Sequence, residues 1–150
     1  MNYTQASLGR VFIAKLENNE VVHEAIERIA EKEKISAGVV FIVGGVGEGS
    51  SLVVGPIDGN ERPITVMERT LSAPHEATGM GTLFANEEGK PVLHMHISAC
   101  RAGGSVTGCI RRGVRVWGLL EATVVEFTDT TALKRYEKDM DNYMLYTRPG

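Results

Sequence analysis

Hydrophobic and polar positions recur along this chain with two different periods, and each change of period marks an element. In residues 10 to 16, RVFIAKL, Val11 and Ile13 alternate with Phe12 and Ala14, the period of two expected of a strand. The run ends at Asn18 and Asn19, residue types suited to cap a helix. From 20 to 34, EVVHEAIERIAEKEK, the period lengthens: Val22, Ala25, Ile26, Ile29 and Ala30 recur at helical spacing, with Glu24, Glu27, Arg28, Glu31 and Lys32 on the other side. Such a helix covers one face of a sheet.

Residues 37 to 56, AGVVFIVGGVGEGSSLVVGP, hold two β-branched runs separated by Gly44, Gly45, Gly47 and Gly49. A phosphate-binding loop is excluded there, because the third glycine of G-x-G-x-x-G would fall on Ser50 and a strand, SLVV, follows where a helix N-terminus is needed. The glycines read as a strand connection. Further strands are predicted near 64 to 69, 80 to 85, 91 to 97, 106 to 111 and 114 to 127, with turn signals at Asn86, Gly89 and Gly103-Gly104. After Asp129, Leu133, Tyr136, Met140, Tyr143 and Met144 predict a second amphipathic helix, a C-terminal helical tail over about 130 to 146. The pattern is that of a single α+β domain spanning 1 to 150.

Composition agrees with one domain holding a real core: 150 residues, 43% of them hydrophobic. Lys and Arg number 16 against 19 Asp and Glu, a formal charge of −3, so nothing draws the whole chain towards nucleic acid or an anionic membrane. No apolar run approaches the roughly 20 residues that span a bilayer, and the start, MNYTQASLGR, lacks the apolar segment of a secretory signal; a cytoplasmic location is the expectation. Cys100 and Cys109 are the two cysteines, and a chain of this size does not depend on a disulfide framework. Free thiols or a metal ligand are the expected uses, with a bridge between them the alternative.

Chemistry concentrates in residues 94 to 109, HMHISACRAGGSVTGC. In the strand PVLHMHIS the period of two sends Leu93, Met95 and Ile97 to the core and His94 and His96 to the opposite face. H-x-H alone also describes two plain polar residues on an exposed strand. Cys109 changes the weighing, since a hairpin turning between Ala102 and Gly103 pairs positions whose numbers sum to 205. His96 then faces Cys109, and His94 faces Arg111, unless a bulge at Gly103-Gly104 shifts the register. Two imidazoles and a thiolate are ligand types that zinc prefers, and three protein ligands leave a fourth position for water or a small molecule.

The surroundings are basic. No Asp or Glu occurs from 89 to 120, while Lys90, Arg101, Arg111, Arg112 and Arg115 do, so a metal there would favour an anionic ligand, with Arg111 the candidate to bind it. The competing account makes these arginines strand-edge or subunit-interface residues.

At these residues the chain resembles the plants-and-prokaryotes-conserved (PPC) domain family, found in bacterial and archaeal single-domain proteins and in plant AT-hook nuclear proteins. The resemblance covers about 9 to 127 and is carried by GRVFIAKL, the helix, VGGVGEG, GTL at 81 to 83, and PVLHMHIS followed by VTGCI. It implies a mixed, largely antiparallel sheet with flanking helices, a homotrimer, and a divalent metal, most simply zinc, on His94, His96 and Cys109. Cys109 stands where the family's G-G-H-L run carries a third histidine, so the donor set departs from the family's own.

The H-x-H pattern is also similar to that of acetolactate decarboxylase, whose zinc polarises a keto acid. By that analogy the ion would bind a 2-hydroxy or 2-keto carboxylate and stabilise an enolate as a Lewis acid, a lyase-like reaction in which Arg111 orients the carboxylate. His75 and Glu76, in APHEATG, are the candidate acid, base or further ligand; the plainer reading makes them a polar loop. Two rival classes stand beside this. DNA association would need an R-G-R-P-like hook, which neither IRRGVR at 110 to 115 nor the terminal TRPG supplies, so specific nucleic-acid binding is not expected. A purely structural oligomer would have a metal with all four positions filled by protein.

Overall fold

The computed structural model describes residues 1–111 and 113–147; Arg112, and the RPG of the terminal TRPG motif, lie outside the described residues. Eight strands form one sheet: β1 (Ser7–Glu17), β2 (Ala37–Val46), β3 (Ser51–Pro56), β4 (Val66–Thr70), β5 (His75–Ala85), β6 (Pro91–Arg101), β7 (Gly104–Cys109) and β8 (Val116–Thr128). Their order across the sheet is β1-β8-β2-β5-β6-β7-β3-β4. Every neighbouring pair is antiparallel, so the largely antiparallel sheet expected is found, without the parallel pair that would make it mixed. Among the described residues no helix is long and apolar enough to cross a membrane.

One α-helix, α1 (Val22–Glu33), lies against the sheet, and its buried stripe is Val22, Ala25, Ile26 and Ala30. The asparagines do not cap it. Val21 holds the N-cap position without a side-chain hydrogen bond, while Asn18 accepts from the Gly118 amide at 2.8 Å and Asn19 takes a left-handed turn. At the other end Lys34 adopts φ 57°, and the Ile35 amide closes on the Ala30 carbonyl at 2.8 Å, stopping the helix. Under the helix lie Met95 and Ile97 of β6, each 1% exposed, with Val40, Leu83, Leu120 and Val124 in the same cluster. Burying a side chain of this size contributes roughly 1.5–3 kcal/mol. The Glu27 carboxylate also accepts from the Leu93 amide at 2.9 Å, so the helix grips β6 by a polar contact as well.

The expected C-terminal helix is a hairpin, β9 (Leu133–Glu137) and β10 (Asn142–Tyr146), joined by a 3₁₀ turn at Lys138–Met140. Two features override the helical spacing. Asp139, Asp141 and Asn142 are poor helix formers, and Asp141 takes φ 44° to close the turn. Cross-strand pairing then brings Tyr136 opposite Tyr143, ring centroids 5.6 Å apart, while the Tyr136 hydroxyl donates to Asp141 at 2.6 Å.

The sheet face opposite the helix carries an exposed apolar row. Following the register, Ile13 pairs with Thr123, Thr123 with Phe41, Phe41 with Met80, and Met80 with His96. Ile13, Phe41 and Met80 are all exposed, and Val11 and Val43 flank them.

Candidate metal centre

Alternation along β6 decides which side chains can meet. Met95, Ile97 and Ala99 are buried in the core, which leaves His94 and His96 on the opposite face. The β6–β7 hairpin pairs His96 with Cys109, Ile97 with Gly108 and Arg101 with Gly104, so the register is the one summing to 205. Close approach of the neighbouring strand fixes β6 further: a Cβ on Gly81 would lie 2.6 Å from the Met95 Cβ and 2.8 Å from the His94 carbonyl oxygen.

The ligand-type atoms of His94, His96 and Cys109 all lie within 4.8 Å of one another. Histidine Nε2 atoms stand 3.3 Å apart, with the rings at 73°. Two nitrogens on a tetrahedral zinc at 2.0–2.1 Å are themselves about 3.3 Å apart, so the two imidazoles are spaced for such an ion. Burial, then the charges of Lys134, His96 and Arg111, hold His94 below the ordinary imidazole range, which keeps it a neutral ligand. Burial pushes the Cys109 thiol up, opposed by the Arg111 charge and by hydrogen bonds from backbone amides.

The triad opens onto a cavity of about 270 Å³, walled by Val53, Val54, Pro56, Ile64 and Val66 on one side and by Met140 and Asn142 of the C-terminal turn. Arg111 lines it too. Strand β7 ends at Cys109, yet the Ile110 amide still reaches the Met95 carbonyl at 3.2 Å, which carries the chain one step further before Arg111 turns into the cavity. The buried Nε of Arg111 has no hydrogen-bond partner. Other members of the basic cluster are engaged elsewhere: Arg101 donates to the Pro74 carbonyl, Arg115 to the Asn19 carbonyl, and Lys90 pairs with Glu88.

His75 and Glu76 begin β5 rather than lying in a loop, and Glu76 pairs with Cys100. Cys100 lies four positions along the strand from His96, about 13 Å, so within one chain neither His75 nor Glu76 joins the triad. They line a different concavity with Cys100, Arg101 and Trp117. Both cysteines are free, Cys100 exposed and Cys109 buried.

One residue of the site has no sequence signal. Lys134, on β9, is 2% exposed; its charge acts on His94, and burial holds its own pKa below the ordinary lysine range, opposed by the charge of Cys109. In a helical reading it falls on the polar side; only the strand pairing of the hairpin turns it inward.

The fold is shared with solved structures. A metal-containing protein of Archaeoglobus fulgidus superposes with a TM-score of 0.80 at 18% identity, covering 97% of this chain and 99% of its own. A plant- and prokaryote-conserved (PPC) protein of Pyrococcus horikoshii gives 0.81 at 17%, covering 99% of each chain. A protein of Bacteroides thetaiotaomicron described as a candidate DNA-binding protein gives 0.72 at 15%, over 96% of this chain and 99% of its own. No curated protein sequence matches the chain. The profile of the Plants and Prokaryotes Conserved (PCC) domain matches residues 3–128, and with that match the chain belongs to this family.

Proposed function

We propose that this protein binds a divalent metal, zinc by its donor set, through His94, His96 and Cys109, and holds a small anion at the ion's fourth position. The observation that carries the reading is the convergence of three metal-ligating atoms within 4.8 Å at the wall of a cavity that Arg111 also lines. Two neutral imidazoles and one thiolate leave a zinc ion with a net charge of about +1, and Arg111 adds another positive charge beside it. A carboxylate or phosphate gains a metal bond and a charge-assisted hydrogen bond there. The metal-containing neighbour from Archaeoglobus fulgidus supports the same reading.

The chain acts in this reading as a homotrimer whose subunits cover the row from Ile13 to Met80, because contiguous exposed apolar side chains mark association surfaces. A bound ion would supply Lewis-acid polarisation of an oxygen on the anion, the basis of the lyase-like alternative. His75 and Glu76 supply no acid or base to it within the chain, so binding of the anion is the function proposed. DNA association draws support from the description of the Bacteroides neighbour and is opposed by the net charge of −3.

The test is metal analysis of the purified full chain. His94→Ala, His96→Ala and Cys109→Ser each lower metal content sharply, and Cys100→Ser leaves it intact. Full occupancy in Cys109→Ser would contradict the mixed donor set.

A further inference from the structure

Lys134 is 2% exposed, and among the described residues its ammonium makes no salt bridge to a carboxylate. Burial holds its pKa below the ordinary lysine range, opposed by the charge of Cys109, so an anionic counter-charge beside it stabilises the ammonium. Its position says where that counter-charge sits. Lys134 is on β9 opposite Leu145, and the turn of the same hairpin contributes Met140 and Asn142 to the cavity wall. Arg111 lines the same cavity and presents an unpartnered, buried Nε. Arg111 thus lines the ligand-sized space beside the triad, and Lys134, on the hairpin whose turn closes that space, lies near enough for its charge to act on His94 and for Cys109 to act on it.

We infer that Lys134 is the second cationic anchor of the cavity and, with Arg111, makes it selective for small dianions such as phosphate or a short dicarboxylate over monocarboxylates. This rests on the metal-and-anion reading above. Charge counting gives the direction: an ion held by one thiolate, Arg111 and Lys134 together present about +3, which a dianion offsets better than a monoanion. The cavity, about 270 Å³, lies near the low end of ligand sites, and its apolar wall of Val53, Pro56, Ile64 and Val66 suits a short carbon skeleton.

The experiment uses the metal-loaded full chain and three probes, inorganic phosphate, malonate and acetate, with binding read by calorimetry and by ligand-induced thermal shift. The wild type binds phosphate or malonate at least about tenfold more tightly than acetate. Lys134→Met keeps its metal, melts no lower than the wild type without ligand, and loses about tenfold or more in dianion affinity while acetate changes little. Should Lys134→Met fail to fold, Lys134→Gln is read in the same way. Dianion affinity unchanged in the folded variant, or an equal loss for acetate, overturns the role of Lys134 alone. A wild type that binds none of the three probes overturns both this role and the anion site on which it rests.

Discussion

The Nε2 atoms of His94 and His96 stand 3.3 Å apart although the residues sit two positions apart on one strand. Adjacent same-face side chains of a strand leave the backbone roughly 6.6 Å apart, so the rings lean together to reach that separation. It is the spacing of two corners of a tetrahedral metal site. Cys109, opposite His96 on β7, brings its Sγ within 4.8 Å of both rings' ligand nitrogens.

The two cysteines are expected to differ in reactivity. Cys100 is exposed, while Cys109 is buried and its thiol is pushed up by that burial, so little of it is thiolate at neutral pH. In metal-free protein a disulfide-exchange reagent titrates one thiol fast and one slowly, and Cys100→Ser abolishes the fast phase. Added zinc removes the slow phase. Two equally fast thiols, or none, would contradict this placement.

Acid stability isolates another contact, remote from the site. Arg10 pairs with Glu126 at 2.7 Å and holds its carboxyl at about 2, against an ordinary value of 4.5. Because the folded value is depressed, the contribution is fully present above about 4.5 and is lost as pH falls towards about 2. Glu126→Gln should melt below the wild type at neutral pH, and the gap should close across that window. A gap independent of pH would remove the ion pair as its cause.

Much of this architecture is legible in the sequence, and the failures have physical reasons. The helix at Val22–Glu33 and the strands at residues 91 to 97 carry unmixed periods, and the β6–β7 register follows from one turn at Ala102 and Gly103. The family resemblance rests on motifs of those same segments. The C-terminal hairpin was hidden because Leu133, Tyr136, Met140 and Tyr143 satisfy helical spacing as well. What selects the strand there is the left-handed turn at Asp141 and the pairing of Tyr136 with Tyr143, which are tertiary facts. Lys134 was hidden with it, since a lysine inside an amphipathic pattern reads as solvated. His75 and Glu76 failed to meet the triad because β5 runs four residues beyond the His96 level before reaching them, a distance that residue types alone do not encode.

Association is expected to depend on the apolar row. Phe41 lies at its middle, 45% exposed, between Thr123 and Met80. Phe41→Asp puts a charge there without disturbing the core, so light scattering should report a trimer for the wild type and a monomer for the variant, with metal content retained. A monomeric wild type would remove the trimer from the account.

Cobalt substitution tests the central claim most directly, because the visible spectrum of a Co²⁺ ion reports both its thiolate ligand and any change in its fourth ligand. Co²⁺-loaded wild type should show an intense thiolate charge-transfer band that is absent in Cys109→Ser, and tetrahedral d–d bands that shift when phosphate or malonate is added. Arg111→Ala should keep the bands and weaken the shift. A spectrum without the thiolate band, or one indifferent to every anion, would contradict a His94–His96–Cys109 centre with an open position.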